Sequence, residues 1–307
     1  MNHNLPPAIS TFAGDYDSLF YFLVWASLIA GIIMLGGMIY FIVKYNGRDD
    51  SKKTAYITHN SFLEFAWSFI PLVLFMGVFV WGGAVYYKQR VAPEGAMEIQ
   101  LTARQWLWEF EYKNGKKSTN VAYVPVGVPI KMVMTSADVI HSFYIPSMRT
   151  KQDVVPGMYS SLWFEAKETG VFQIFCAEFC GTNHSAMLGK IHVVEMDEYK
   201  AWLQAEEGAG KSLAERGADL YKNKGCVACH SIDGTKIIGP SFKGVWGRTE
   251  QIENGPNIVV DENYVRESIL SPQAKIVKGF PPTMPPFQGV VSEDEIKSII
   301  EWFKTLK

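Results

Sequence analysis

The sequence predicts a multi-domain membrane protein: a two-helix transmembrane hairpin, then an all-β domain, then a small all-α domain. Two stretches carry no charge, 26 residues between Asp17 and Lys44 and 23 between Glu64 and Lys88. Each exceeds the roughly 20 apolar residues a helix needs to cross a bilayer. Short β-like runs follow, and helical segments around a Gly/Pro-rich middle complete the chain. The mean hydropathy of +0.02 is thus the average of a membrane anchor and polar domains. Intrinsic disorder, a purely soluble enzyme and a polytopic transporter are excluded. With Lys+Arg 29 against Asp+Glu 31, the chain shows no nucleic-acid footprint.

Residues 1–91 hold the N-terminal segment and both spans, about 18–43 and 62–87. The first 17 residues contain Pro6, Pro7, Asp15 and Asp17 and no Lys or Arg, so they do not read as a signal peptide. Pro71 and the Gly82–Gly83 pair lie inside the second span, where membrane helices tolerate them. Lys44, Arg48, Lys52 and Lys53 fall between the spans. The positive-inside rule puts that loop in the cytoplasm, with both termini on the other side of the membrane.

Residues 92–196 read as the β domain. Strand-like runs cover Glu98–Tyr112, Pro129–Thr135, Ser161–Ala166, Val171–Cys176 and Lys190–Glu195, with turns at Asn114–Gly115 and Pro156–Gly157. Many short strands with turn punctuation argue for a sandwich or barrel. Residues 197–211 read as a short helix and linker. In 212–307, Leu213–Lys224 and Glu293–Leu306 are the clearest helices, the latter with Ile296, Ile299, Ile300, Phe303 and Leu306 on one face.

The four cysteines form two close pairs, too few for a disulfide scaffold in a chain this long. Cys176, Cys180, His184 and Met187 place two thiols, an imidazole and a thioether within one short segment. Soft sulfur combined with imidazole favours copper. Two thiolates can bridge two metals, and His141, at a strand end in the same domain, fits as the second imidazole. The same offsets also define one helix face, where Cys and Met are usually core. A Cys176–Cys180 disulfide is a further alternative in an oxidising compartment. The flanks oppose a helix, because Val171–Phe175 reads as strand and Gly181–Asn183 as turn.

Cys226-Val-Ala-Cys229-His230 is a c-type haem attachment sequence. Two thiols add to the haem vinyls and the adjacent His becomes an iron ligand. Zinc lacks a second Cys/His pair downstream, and a redox dithiol has no need of the His. After His230 the only Met is Met284 and there is no further His, so Met284 is the candidate sixth ligand, as in cytochrome c. Prolines at 281, 282, 285 and 286 stiffen its loop.

Cys176–Met187, Asp138–Ser147 and Arg104–Phe110, together with the hairpin, resemble subunit II of haem–copper cytochrome c oxidases over residues 18–196. The resemblance implies a cupredoxin-like Greek-key barrel or sandwich holding the binuclear copper centre CuA. Its ligands would be His141, Cys176, Cys180, His184, Met187 and the backbone carbonyl of Glu178, with the Glu178 side chain on a magnesium ion shared with subunit I. Trp106 occupies the position through which the family passes electrons into CuA. The next residue, commonly Tyr in the family, is Leu107 here. Glu64-x-x-Trp67-x3-Pro71 resembles the pattern whose Glu marks a proton-channel entrance. Quinol-oxidase relatives lack the copper ligands, so the intact set argues against that branch.

Residues 213–307 are similar to class I cytochrome c, and the combination resembles the caa-type oxidases of bacteria. The implied function is the electron-input subunit of a proton-translocating cytochrome c oxidase. Its cofactors would be CuA, covalent haem c and magnesium. Its partners would be subunits I and III, the lipid bilayer, and cytochrome c or an upstream respiratory complex as donor. The setting is the bacterial inner membrane, with both redox domains on the periplasmic side. The alternative is a stand-alone membrane-anchored electron-transfer protein, which would lack haem a-type bands.

Overall fold

The computed structural model describes residues 5–45, 56–205 and 210–307. Of the basic residues that orient the hairpin, Arg48, Lys52 and Lys53 lie outside the described residues.

Two long helices, α1 (Ala13–Lys44) and α2 (Ser61–Arg90), form the hairpin. Each extends past the uncharged stretch that predicts it. The chain then runs through β1 (Met97–Arg104), β2 (Leu107–Glu111), β3 (Lys117–Thr119), β4 (Val121–Pro125), β5 (Ile130–Ser136) and β6 (His141–Ile145). It continues with β7 (Thr150–Val154), β8 (Ser160–Phe164), β9 (Gly170–Cys176) and β10 (Leu188–Val194). After α3 (Met196–Gln204) come α4 (Leu213–Asn223), the short ribbon β11 (Thr249–Glu250) and β12 (Ile258–Val259), α5 (Glu262–Leu270) and α6 (Glu293–Phe303).

Apolar side chains along both hairpin helices are largely exposed. Such a surface requires lipid or another membrane subunit as its solvent. The helices touch where Leu19 reaches Gly82 and Phe22 meets Trp81. Asn60 caps α2 by accepting from Leu63 N–H, and Glu64 returns the contact by accepting from Asn60 N–H at 3.1 Å. Glu64 therefore serves as a reciprocal cap of the first turn.

The β domain is a sandwich of two five-stranded sheets, ordered β3-β2-β1-β5-β8 and β4-β10-β9-β6-β7. The β1–β5 and β10–β4 pairs are parallel and the remaining pairs antiparallel. Alternation places Ile99, Leu101 and Ala103 of β1 and Ile130, Met132 and Met134 of β5 inside. Trp108 is fully buried, with Phe143 and His141 against its edge or face.

The run expected as one strand, Glu98–Tyr112, is instead two antiparallel strands joined at Gln105–Trp106. Tertiary contacts make the break: Gln105 N–H donates to Asp138 at 2.7 Å and Trp106 Nε1–H to the Cys180 carbonyl at 3.2 Å. Helix α3, within the segment expected as a short helix and linker, lies on the sandwich, where Trp202 stacks on Tyr123 at 4.4 Å.

The β domain also closes over the periphery of the hairpin. Ile9, Phe12 and Ala13 are buried, and Trp163 Nε1–H donates to the Lys88 carbonyl at 3.2 Å. In the α domain, α4 and α6 start on capping boxes, Ser212/Glu215 and Ser292/Glu295. They pack at Gly217, and Ile296, Ile299, Ile300, Trp302 and Phe303 form the buried face of α6.

Candidate metal centres

Strand ends and the loop after β9 assemble the first centre. His141 opens β6, Cys176 closes β9, Cys180 and His184 lie on the following loop, and Met187 precedes β10. The two sulfurs of Cys176 and Cys180 are 3.7 Å apart, and both cysteines are free. His141 Nδ1 is 3.9 Å from Cys176 Sγ, His184 Nδ1 is 3.5 Å from Cys180 Sγ, and Met187 Sδ is 3.7 Å from Cys180 Sγ. The Glu178 carbonyl oxygen lies 3.2 Å from Cys176 Sγ. The donor atoms of His141, Cys176 and Cys180 lie within 4.8 Å of one another, the other three each border one of the two sulfurs, and the Glu178 carboxylate is exposed. A soft, mostly buried S/N donor set of this kind suits copper.

Electrostatics favour anionic sulfur there. The Cys176 thiol is held well below its ordinary pKa by its hydrogen bond with Cys180 and, against burial, by His141. Ionising Cys176 keeps the proton on Cys180, whose own pKa is pushed up. Burial opposes a charged His141, but hydrogen bonds to Asp138 and Cys176 outweigh it and raise that pKa. Asp138 Oδ1 sits 2.9 Å from His141 Nε2 and so leaves Nδ1 facing the sulfurs. Asp138, three residues before His141, is a functional neighbour that sequence reasoning missed. Acid–His proximity was the available signal.

The second centre is a cavity in the α domain lined by Cys226, Cys229, His230, Gly239, Pro240 and Met284. Every residue expected to hold haem c thus borders one apolar space. His230 is buried, and its Nδ1 lies 2.8 Å from the Pro240 carbonyl, which leaves Nε2 as the available ring nitrogen. Burial lowers the His230 pKa against the opposing pull of that carbonyl, and a neutral imidazole is the ligand form. Burial also raises the Cys226 thiol to about 12. Phe242 stacks on the His230 ring at 4.4 Å, and Tyr221 O–H donates to the His230 carbonyl at 2.6 Å. The residues present therefore fit a covalently attached haem.

Trp106 links the two sites. Its indole reaches the Cys180 carbonyl and also lines the α-domain cavity. Gln105, Leu107 and Asn183 line that cavity too, and none of the three was singled out from sequence for such a place. Glu64 is remote from both centres in the chain and belongs to the cap of α2.

A membrane anchor, a copper-type donor cluster and a haem-attachment cavity define a membrane-anchored electron-transfer protein with two redox sites. Residues 1–81 match the family model for the transmembrane domain of cytochrome c oxidase subunit II, 116–194 that for its periplasmic domain, and 214–307 that for cytochrome c. Cytochrome c oxidase subunit 2 of Alkalihalophilus pseudofirmus is 30% identical over 95% of this chain and 87% of its own length. The Cereibacter sphaeroides subunit is 30% identical over 53% of this chain and 67% of its own. Among solved structures, the periplasmic domain of subunit II of cytochrome oxidase from Bradyrhizobium japonicum is 33% identical. It covers 37% of this chain and 95% of that one, with a TM-score of 0.36. With a relative matching along nearly its whole length, this chain belongs to the cytochrome c oxidase subunit II family and carries a cytochrome c domain after the cupredoxin-like one.

Proposed function

We propose that this chain accepts electrons at its cytochrome domain and passes them through its cupredoxin-like domain to subunit I, where oxygen is reduced with coupled proton translocation. Bound copper and haem supply the one-electron chemistry. His141, Cys176, Cys180, His184, Met187 and the Glu178 carbonyl would hold CuA. Cys226 and Cys229 would anchor haem c, with His230 and Met284 as its candidate iron ligands. The observation that carries the reading is Trp106: it contacts the Cys180 backbone at 3.2 Å and borders the cavity of Cys226 and Cys229.

The residues of this chain do the positioning. Asp138 orients His141, the Pro240 carbonyl orients His230, and the apolar cavity excludes water from the iron site. On this reading residues 92–196 are the CuA domain and 212–307 the cytochrome domain. Both face the periplasm of a bacterial inner membrane, with Glu178 on a magnesium shared with subunit I and Glu64 at a proton-channel entrance. Subunit III completes the complex, and a cytochrome c or an upstream complex supplies electrons.

Metal analysis with optical and EPR spectra of the purified oxidase tests the assignment. Two coppers and one covalent haem c per chain are expected. Cys180→Ser should abolish the CuA signal and leave the haem c absorption. Retention of both signals in that variant overturns the ligand assignment.

A further inference from the structure

Leu107 belongs by sequence to β2 of the cupredoxin-like domain, yet it packs within the apolar core of the other domain. It is 2% exposed and clusters with Tyr221, Val291, Ile299 and Phe303. Its neighbour Trp106 packs against the sandwich core instead. Trp106 ends the tight turn and Leu107 opens β2, and the two pack against different cores, so this two-residue step serves both domains at once. Two asparagines flank it. Asn183, 7% exposed and adjacent to His184, directs Nδ2 to Cys229 Sγ at 3.5 Å. Asn120 accepts from Trp108 N–H at 2.9 Å and donates through Nδ2 to the Asn223 carbonyl at the end of α4, at 3.1 Å.

We propose that Leu107 and Asn183 are inter-domain positioning residues: Leu107 plugs the mouth of the cytochrome cavity and Asn183 registers its Cys229 edge against the copper loop. The chain thereby docks its own cytochrome domain over Trp106 and closes that face to a diffusing donor, which must instead reduce the cytochrome domain on its outer surface. This inference rests on the metal assignments above.

The apolar plug supplies burial and the asparagines supply register. Burial of an aliphatic side chain is favourable but non-directional, while the polar contacts around it fix register. The tether between the domains keeps the effective concentration in the millimolar range, so weakening the plug loosens the docking without separating the parts.

The test uses the intact oxidase carrying Leu107→Asp, with Leu107→Met and Asn183→Ala as companions. Three quantities are read: deuterium uptake at 104–108 and 181–184, relaxation of the copper EPR signal by oxidised haem c, and the rate at which copper is reduced after flash reduction of haem c. Leu107→Asp should raise uptake about tenfold, as expected when a local opening becomes easier, and should weaken the relaxation effect. It should also slow copper reduction about tenfold or more, since coupling depends on held geometry. Leu107→Met should restore wild-type values, and Asn183→Ala should slow the transfer with little change in uptake at 104–108. Soluble reduced cytochrome c should reduce copper directly only in Leu107→Asp.

Wild-type uptake, relaxation and transfer in Leu107→Asp overturn the proposal, as does direct reduction of copper by soluble cytochrome c in the wild type. If the Asp variant fails to fold, the uncharged Leu107→Asn carries the same expectations. Failure of the metal assignments is separable, because it appears in the wild type as missing copper or haem c signals.

Discussion

Gly217 of α4 meets Ser298 of α6 at backbone contact: a Cβ on Gly217 would collide with the Ser298 carbonyl and lie 2.6 Å from Trp302 Cβ. Trp302 in turn packs its ring on Tyr221 at 4.9 Å, and Tyr221 holds the His230 carbonyl. The helix crossing thus reaches the His230 side of the cavity through two aromatic side chains.

Gly217→Ala should therefore cost the cytochrome domain about 1–3 kcal/mol, the range for overpacking a tight contact. The neighbours in the crossing are backbone and a Cβ, which cannot rotate away. Thermal unfolding followed at the haem Soret band should shift down, while the copper EPR signal of the intact sandwich stays unchanged. An unshifted transition would mean that the helices separate at little cost.

Asp138 offers a second prediction. Its carboxylate faces His141 Nε2 at 2.9 Å and accepts from the backbone N–H groups of Gln105 and Val139. Burial opposes its charge, but His141 and these N–H groups outweigh burial and lower its pKa. Asp138→Asn keeps the shape and removes the charge that fixes the ring. Copper affinity should fall about 10- to 100-fold, as when the outer partner of a metal-bound His is lost. Competition with a copper chelator measures this, and haem c absorption serves as the unaffected control.

These residues also mark the limit of the sequence. The spans were legible because bilayer thickness imposes a length that composition reveals directly. The sulfur–imidazole cluster was legible because four of its side chains fall within one short segment, Cys176–Met187. By contrast, the break at Gln105–Trp106 carries no Gly, Pro or Asn, so a period-2 pattern ran straight through it. Only the contacts to Asp138 and Cys180, distant in sequence, impose the turn. Leu107 was visible as a departure from the family pattern, but its burial in the other domain depends on how two domains meet. The short helix was expected, but the docking of α3 was not, because the partners of Trp202, Tyr112 after β2 and Tyr123 in β4, lie about eighty to ninety residues earlier and on different sheets.

Arg149 carries the third prediction, at the junction of anchor and sandwich. Its side chain is 6% exposed and makes a two-point contact with Asp17, at 2.7 Å and 3.0 Å. The same guanidinium donates to the carbonyls of Pro146 and Pro6, so one cation ties β6–β7, α1 and the N-terminal segment together. Removing one partner of such a buried pair leaves the other uncompensated and typically costs about 3–5 kcal/mol. Arg149→Met should therefore free residues 5–12 from the sandwich, read as new protease cleavage before α1 and as a lower denaturant midpoint for the copper absorbance. The double variant Arg149→Met/Asp17→Leu should recover part of the midpoint, because both charges are then gone from the junction. It should not recover protease resistance fully, since the donors to Pro6 and Pro146 are still missing. A single variant with wild-type cleavage and midpoint would show that Ile9 and Phe12, buried in the sandwich core, hold the segment without the ion pair.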